Sequence, residues 1–175
     1  GRERHTRRLR RMPDAKQNPD LYVLAGGQSS RFGSDKALAD VDGVPMLQRV
    51  IDCLKYKDQE VTIVTGEDIR YEWFGHAVIT DRPAGIGPLG GLAAALRHRR
   101  QHLGSGWILL TSCDLVDPER AWVVLLDAHC ESVPSGAIAF RGEHWESMFA
   151  LYHTKLLPLV EKQIEQGDHS MQALL

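Results

Sequence analysis

The chain has 175 residues, 43% of them hydrophobic and 25% charged, and a net charge of −2. That length and balance describe a single domain able to bury a core without disulfide or metal staples. The longest apolar runs fall well short of the ~18 residues of a membrane span, which excludes an integral membrane helix.

The charge is unevenly placed. The first twenty residues hold six arginines and Lys16 against Glu3, Asp14 and Asp20, so the remainder is net acidic. An acidic body gives no general affinity for nucleic acid. The basic start, residues 1–20, has almost no apolar content and two prolines, and reads as a disordered extension. Cys53, Cys113 and Cys130 form no CxxC and no metal-ligand spacing. They read as reduced thiols of a cytoplasmic protein.

From Leu21 the pattern alternates strand and helix. Leu21–Ala25 is a short continuous apolar run, as expected of a strand buried on both faces. Gly26, Gly27, two serines, Arg31, a third glycine and Lys36 follow it. Glycines let consecutive N–H groups point at one anion, Arg31 offers a planar fork, and Lys36 is a mobile point charge. This is a polyphosphate cradle, although no GxxxxGK[ST] motif occurs.

After a connection at 37–44, with a turn at Asp42-Gly43, Pro45 is expected to open a helix bearing Met46, Leu47, Val50, Ile51 and Leu54 on one face. Glu60–Thr65 is β-branched and reads as a strand, Asp68–Phe74 as a short helix, and Ala77–Thr80 as a third strand ending at Asp81. A glycine-rich loop follows. Gly85, Gly87, Pro88, Leu89 and Gly90 formally complete GxGxxG, but the match lies far from the first strand and contains Pro88. A substrate-lining loop is the better reading, with a Rossmann-type nicotinamide site as the alternative.

Leu89–His102 reads as an Ala/Leu helix and Trp107–Thr111 as a deeply buried strand, with Asp114 just beyond it. A carboxylate at that rim calls for a partner, and a divalent cation bridging to phosphate is an obvious one. Asp117-Pro118-Glu119 has the pattern of a helix start, with the helix running to Ala128. Gly136–Phe140 and Ser147–His153 read as strands, Lys155–Gln166 as a helix stopped by Gly167, and the chain closes on SMQALL, a helical start. His144 suits a solvated loop. With no GxSxG motif and no partner for Cys113, nucleophilic catalysis by the protein is not expected. Alternating strands and helices imply an α/β fold, a mostly parallel sheet flanked by helices on both faces, with ligands at the carboxyl edge.

LAGG-x-S-x-R-F-G-x-D-K at Leu24–Lys36 resembles the signature loop of nucleotidyltransferases that activate sugars, alditols and pterins. Within that superfamily the chain looks most like the molybdenum cofactor guanylyltransferases. Lys36–Val50, Ile79–Leu96, Cys113-Asp114, Met148–Tyr152 and Gly167–Leu175 fit in the same order. The resemblance covers residues 21–175 and implies a three-layer, Rossmann-like nucleotidyltransferase domain. It implies that Leu24, Ala25, Gly26 and Gly27 contact a guanine nucleotide, that Lys36 binds its phosphates, and that Asp81 contacts the nucleotide. Asp114 would hold Mg²⁺ and GTP, with Arg31 near the triphosphate. The second glycine, where related cytidylyltransferases have LAAG, favours GTP over CTP.

The implied substrates are GTP and molybdopterin, with transient contact to cofactor-delivery proteins, and no nucleic acid or membrane partner. Val64 stands where many relatives have an asparagine contact, and the family's later Asn-x-Asn-Thr-Pro stretch is absent, so the domain is expected to lack its C-terminal end. A cytidylyl- or sugar-phosphate nucleotidyltransferase and a catalytically inactive nucleotide- or pterin-binding protein remain the alternatives.

Overall fold

The computed structural model describes residues 17–26, 36–115 and 117–175. Eight strands and four α-helices alternate along them. In chain order they are β1 (Asp20–Leu24), β2 (Asp40–Val41), β3 (Val44–Pro45), α1 (Met46–Leu54), β4 (Val61–Thr65), β5 (Ala77–Thr80), α2 (Pro88–Leu103), β6 (Trp107–Ser112), α3 (Arg120–Asp127), β7 (Ala137–Arg141), β8 (Trp145–His153) and α4 (Leu157–Glu165). Six strands form one sheet in the order β5-β4-β1-β6-β8-β7. β5, β4, β1 and β6 are parallel, whereas β8 is antiparallel to β6 and carries β7 as an antiparallel edge partner.

The period-2 alternation of strand side chains divides the core into two halves. Leu21, Val23, Ile63, Leu109 and Leu151 face one side and meet Leu47, Val50, Ile51 and Leu54 of α1 with Val123 and Leu126 of α3. Tyr22, Leu24, Val64, Ile108 and Leu110 face the other and meet Leu89, Leu92 and Leu96 of α2 with Leu157 and Val160 of α4. Helices therefore cover both faces, which explains why these strands are continuously apolar. Each such Leu→Ala change is expected to cost about 2–5 kcal/mol.

The connectivity positions the site. From β1 the chain moves outward to β4 and β5, and α2 then returns it to β6 on the opposite side of β1. The strand order reverses between β1 and β6, and a crevice at their carboxyl ends is the natural ligand site of such a sheet. Gly87, at φ +84°, caps α2, and Pro88 occupies its first turn, where a missing N–H is harmless.

Four local expectations are revised. Pro45 ends a two-strand hairpin, and α1 starts after it. Asp42 and Gly43 both have positive φ, as a two-residue hairpin turn requires. The helix expected over Asp68–Phe74 shrinks to a 3₁₀ turn, Glu72–Phe74, because Tyr71 adopts a left-handed conformation at φ +64°. Asp117 does not cap α3: its φ is +44°, it pairs with Arg49, and Glu119 precedes the first helical residue without a side-chain cap bond. The last helix splits into a 3₁₀ turn, Thr154–Leu156, and α4, because Pro158 is tolerated only in a helix's first turn. The chain closes on a 3₁₀ turn, Gln172–Leu174. Gln172 holds it to β8 through bonds to both the N–H and the carbonyl of Trp145, at 3.0 and 2.8 Å.

Candidate active site

A cleft of about 610 Å³ opens at the carboxyl ends of the parallel strands. Its floor and first wall are the end of β1. Ala25 N–H donates to the Val64 carbonyl at 2.8 Å, and Cys113 N–H donates to the Leu24 carbonyl at 3.1 Å. The signature loop thus leaves the sheet between two hydrogen-bonded neighbours. Gly26 is required there by space: a Cβ would lie 2.5 Å from Gly66 N and 2.9 Å from the Thr65 carbonyl carbon.

The second wall comes from the end of β4. Thr65 Oγ1 donates to the Asp68 carbonyl at 2.6 Å, folding Gly66, Glu67 and Asp68 back over the strand end. Tyr71 is buried and fixes the far end of the same segment. Between these anchors Arg70 faces the cleft.

The third wall is the end of β5 with the start of α2. Asp81 N–H donates to the Thr65 carbonyl at 2.9 Å, so β5 hands the side chain directly to the cleft. Its Oδ1 lies where a Cβ on Gly91 would come within 3.1 Å, and that same Cβ would meet Leu24 Cδ2 at 2.6 Å. Gly91 therefore lets the carboxylate and Leu24 nest against the first turns of α2. Among the described residues no donor reaches the Asp81 carboxylate. Burial raises its pKa to about 6 from an ordinary 3.8.

Of the expected site residues, Leu24, Ala25, Gly26, Asp81, Gly85, Gly87 and Pro88 line this cleft together. Leu89 and Gly90 do not: Leu89 is fully buried in the α2 core, and Gly90 is pressed against the Pro83 carbonyl. Lys36 opens a 3₁₀ turn, Lys36–Leu38, and is exposed. Gly27 and Arg31 lie outside the described residues.

Asp114 follows β6 on the other side of β1, exposed and hydrogen-bonded to the hydroxyl of Ser112, which itself lines the cleft. Among the described residues no group of three His, Cys, Asp or Glu side chains could hold a metal. Asp114 supplies one hard carboxylate at the switch point. That suits a cation such as Mg²⁺, which takes its remaining ligands from phosphate and water.

Thr65, Gly66, Arg70, Tyr71, Gly91 and Met148 are additional site residues that the sequence alone did not single out. The first two could have been found by the rule that pointed to Asp81 and Asp114, since Thr65 ends a buried strand and Gly66 directly follows it. Val64, expected to replace an asparagine contact, is fully buried and contributes an apolar wall.

A family model described as a MobA-like NTP transferase domain matches residues 21–175. The chain belongs to the MobA-like NTP transferase family. A relative from Nostoc sp., named "Probable molybdenum cofactor guanylyltransferase", is 40% identical over 167 residues, covering 90% of this chain and 77% of the relative. The molybdenum cofactor guanylyltransferase of Vibrio atlanticus is 32% identical over 154 residues, covering 85% and 76%. The crystal structure of molybdopterin-guanine dinucleotide biosynthesis protein A from Archaeoglobus fulgidus matches with a TM-score of 0.72 at 21% identity, covering 89% of this chain and 77% of that one. At that identity the likeness establishes the fold. The cleft of this MobA-like chain therefore sits where its architecture places a ligand, and the glycine-rich loop before α2 belongs to it. Among the described residues no helix is long and apolar enough to cross a membrane.

Proposed function

We propose that the protein transfers GMP from Mg·GTP to the terminal phosphate of molybdopterin, giving molybdopterin guanine dinucleotide and pyrophosphate. The observation that carries this reading is the cleft itself. The LAG stretch of the signature loop and the unpartnered Asp81 carboxylate line one cavity, and Asp114 stands one strand further along, across the switch point. A nucleotide can lie along that edge with its base toward Asp81 and its phosphates toward Asp114.

The terminal phosphate oxygen of molybdopterin forms a bond to the α-phosphorus as the bond from that phosphorus to the bridging oxygen breaks. Pyrophosphate leaves with the electron pair. The nucleophile is already an anion, so no general base is required; positioning and neutralisation of charge supply the acceleration. Leu24–Gly26 and Asp81 hold the nucleoside. Lys36 and Arg31 neutralise the phosphates, and Gly85, Gly87 and Pro88 border the substrate. Asp114 is the residue that would hold Mg²⁺, which supplies charge stabilisation on the phosphoryl oxygens when bound. Three free thiols fit a reducing cytoplasm, and transient contact with cofactor-delivery proteins fits a product handed onward.

The test is pyrophosphate release from GTP and molybdopterin, with Asp114→Ala as control. Release that depends on both substrates supports the reading, whereas nucleotide binding without release would mark a binding protein.

A further inference from the structure

We propose that Arg70 reads the base of the bound nucleotide, donating to the acceptor edge of guanine (O6 and N7) while Asp81 accepts from its N1–H and N2–H. The proposal rests on the guanylyl reading of the cleft and adds to it a specificity residue outside the signature loop.

Arg70 is an exposed guanidinium lining the cleft, with no ion pair or hydrogen-bond partner among the described residues. Arg49, Arg97 and Arg99, by contrast, each hold a carboxylate. Its backbone is nevertheless held. On one side Thr65 Oγ1 binds the Asp68 carbonyl at 2.6 Å. On the other, Tyr71 is 2% exposed and left-handed, and its carbonyl accepts from Phe74 N–H at 3.1 Å. A side chain fixed at its root and free at its tip is ready to meet a ligand.

Place on the sheet decides which part of the ligand it meets. Arg70 and Asp81 follow β4 and β5, whereas Asp114 follows β6, on the far side of β1. With neighbouring strands ~4.8 Å apart, two to three intervals separate the ends of β4 and β5 from the end of β6, roughly 10–14 Å. A nucleotide with its phosphates at Asp114 presents its base, and not its triphosphate, to Arg70. The Asp81 carboxylate and the Arg70 fork then face that base, with Glu67 and Asp68 as further exposed acids on the wall that carries Arg70. Guanine offers the matching pair, O6 and N7 as acceptors with N1–H and N2–H as donors. Adenine and cytosine each place a donor amine where guanine has O6.

Calorimetric titration of the full chain with Mg²⁺ and GTP, 7-deaza-GTP, ATP or CTP tests this, using wild type, Arg70→Ala and Arg70→Lys with melting temperatures as the fold check. Wild type should bind GTP about tenfold to a hundredfold more tightly than 7-deaza-GTP, which lacks the N7 acceptor. Arg70→Ala should bind the two alike at an unchanged melting temperature, and Arg70→Lys should recover part of the difference. If Arg70→Ala keeps the full preference for GTP over 7-deaza-GTP, or loses affinity equally for all four nucleotides, Arg70 does not read the base and the guanylyl reading stands. A wild type that binds GTP no better than CTP and ATP would overturn both.

Discussion

Asp81→Asn should make the unliganded protein more stable and the enzyme worse. The Asp81 carboxylate is half-buried, without a donor among the described residues, and its pKa is raised to about 6 from 3.8 by burial. The charged form is therefore penalised in the fold. At ~1.4 kcal/mol per pH unit the gap caps the penalty at about 3 kcal/mol, and its partial exposure to solvent reduces that to about 1 kcal/mol. The sign follows from a raised carboxylate pKa. Below the ordinary value the group is protonated in both the folded and the unfolded state and costs nothing. As pH rises from about 4 through about 6 only the unfolded chain ionises freely, so wild type loses this stability and the asparagine variant does not. Differential scanning fluorimetry at pH 4, 5, 6 and 7 should show the two proteins alike at the acid end and the variant higher by about 2–4 °C at pH 7. Adding Mg·GTP should reverse the order, because the wild-type carboxylate gains the N–H donors it lacks. Nucleotide affinity of the wild type should also fall as pH drops below about 6. A variant less stable than wild type at pH 7, or a difference that does not change with pH, would refute the assignment of Asp81 as a desolvated ligand group.

Three further outcomes follow from the same site. Asp114→Ala should lower turnover by at least about 10²–10³ while leaving the melting temperature within about 1 °C, since the side chain is exposed; retained turnover in a pyrophosphate assay would remove it from the metal site. Lys36→Ala should weaken GTP binding about tenfold by calorimetry, and an unaltered affinity would detach it from the phosphates. Gly26→Ala should destabilise the fold by about 1–3 kcal/mol, because its Cβ would lie 2.5 Å from Gly66 N; chemical denaturation measures this, and a neutral effect would show that the loop can withdraw from β4.

The parts of the fold that were legible in the sequence are those where one physical requirement dominates. LYVLA, VTIVT and WILLT had to be strands because short β-branched or apolar runs with polar ends fit only a sheet buried on both faces. The positions of Asp81, on the cleft wall, and of Asp114, exposed beside the cleft-lining Ser112, were legible because each comes just after a strand, where a charge needs a reason. What escaped depends on contacts that sequence spacing does not encode. Tyr71 leaves helical geometry for a left-handed backbone with its side chain buried in the core, and Arg70 just before it lines the cleft. Asp117 carries the local signature of a cap, yet Arg49, 68 residues earlier, draws it away. Leu89 and Gly90 share the glycine-rich motif of the cleft loop, but the turn of α2 points Leu89 into the core and sets Gly90 against Pro83, so the motif splits between packing and site.

The central claim is tested most directly by incubating the protein with Mg²⁺, molybdopterin and either GTP or CTP, and measuring pyrophosphate together with the dinucleotide product. Pyrophosphate and molybdopterin guanine dinucleotide should appear in equal amounts with GTP, and neither should appear without molybdopterin. Product formed with CTP in preference to GTP, or tight GTP binding with no pyrophosphate at all, would contradict the account.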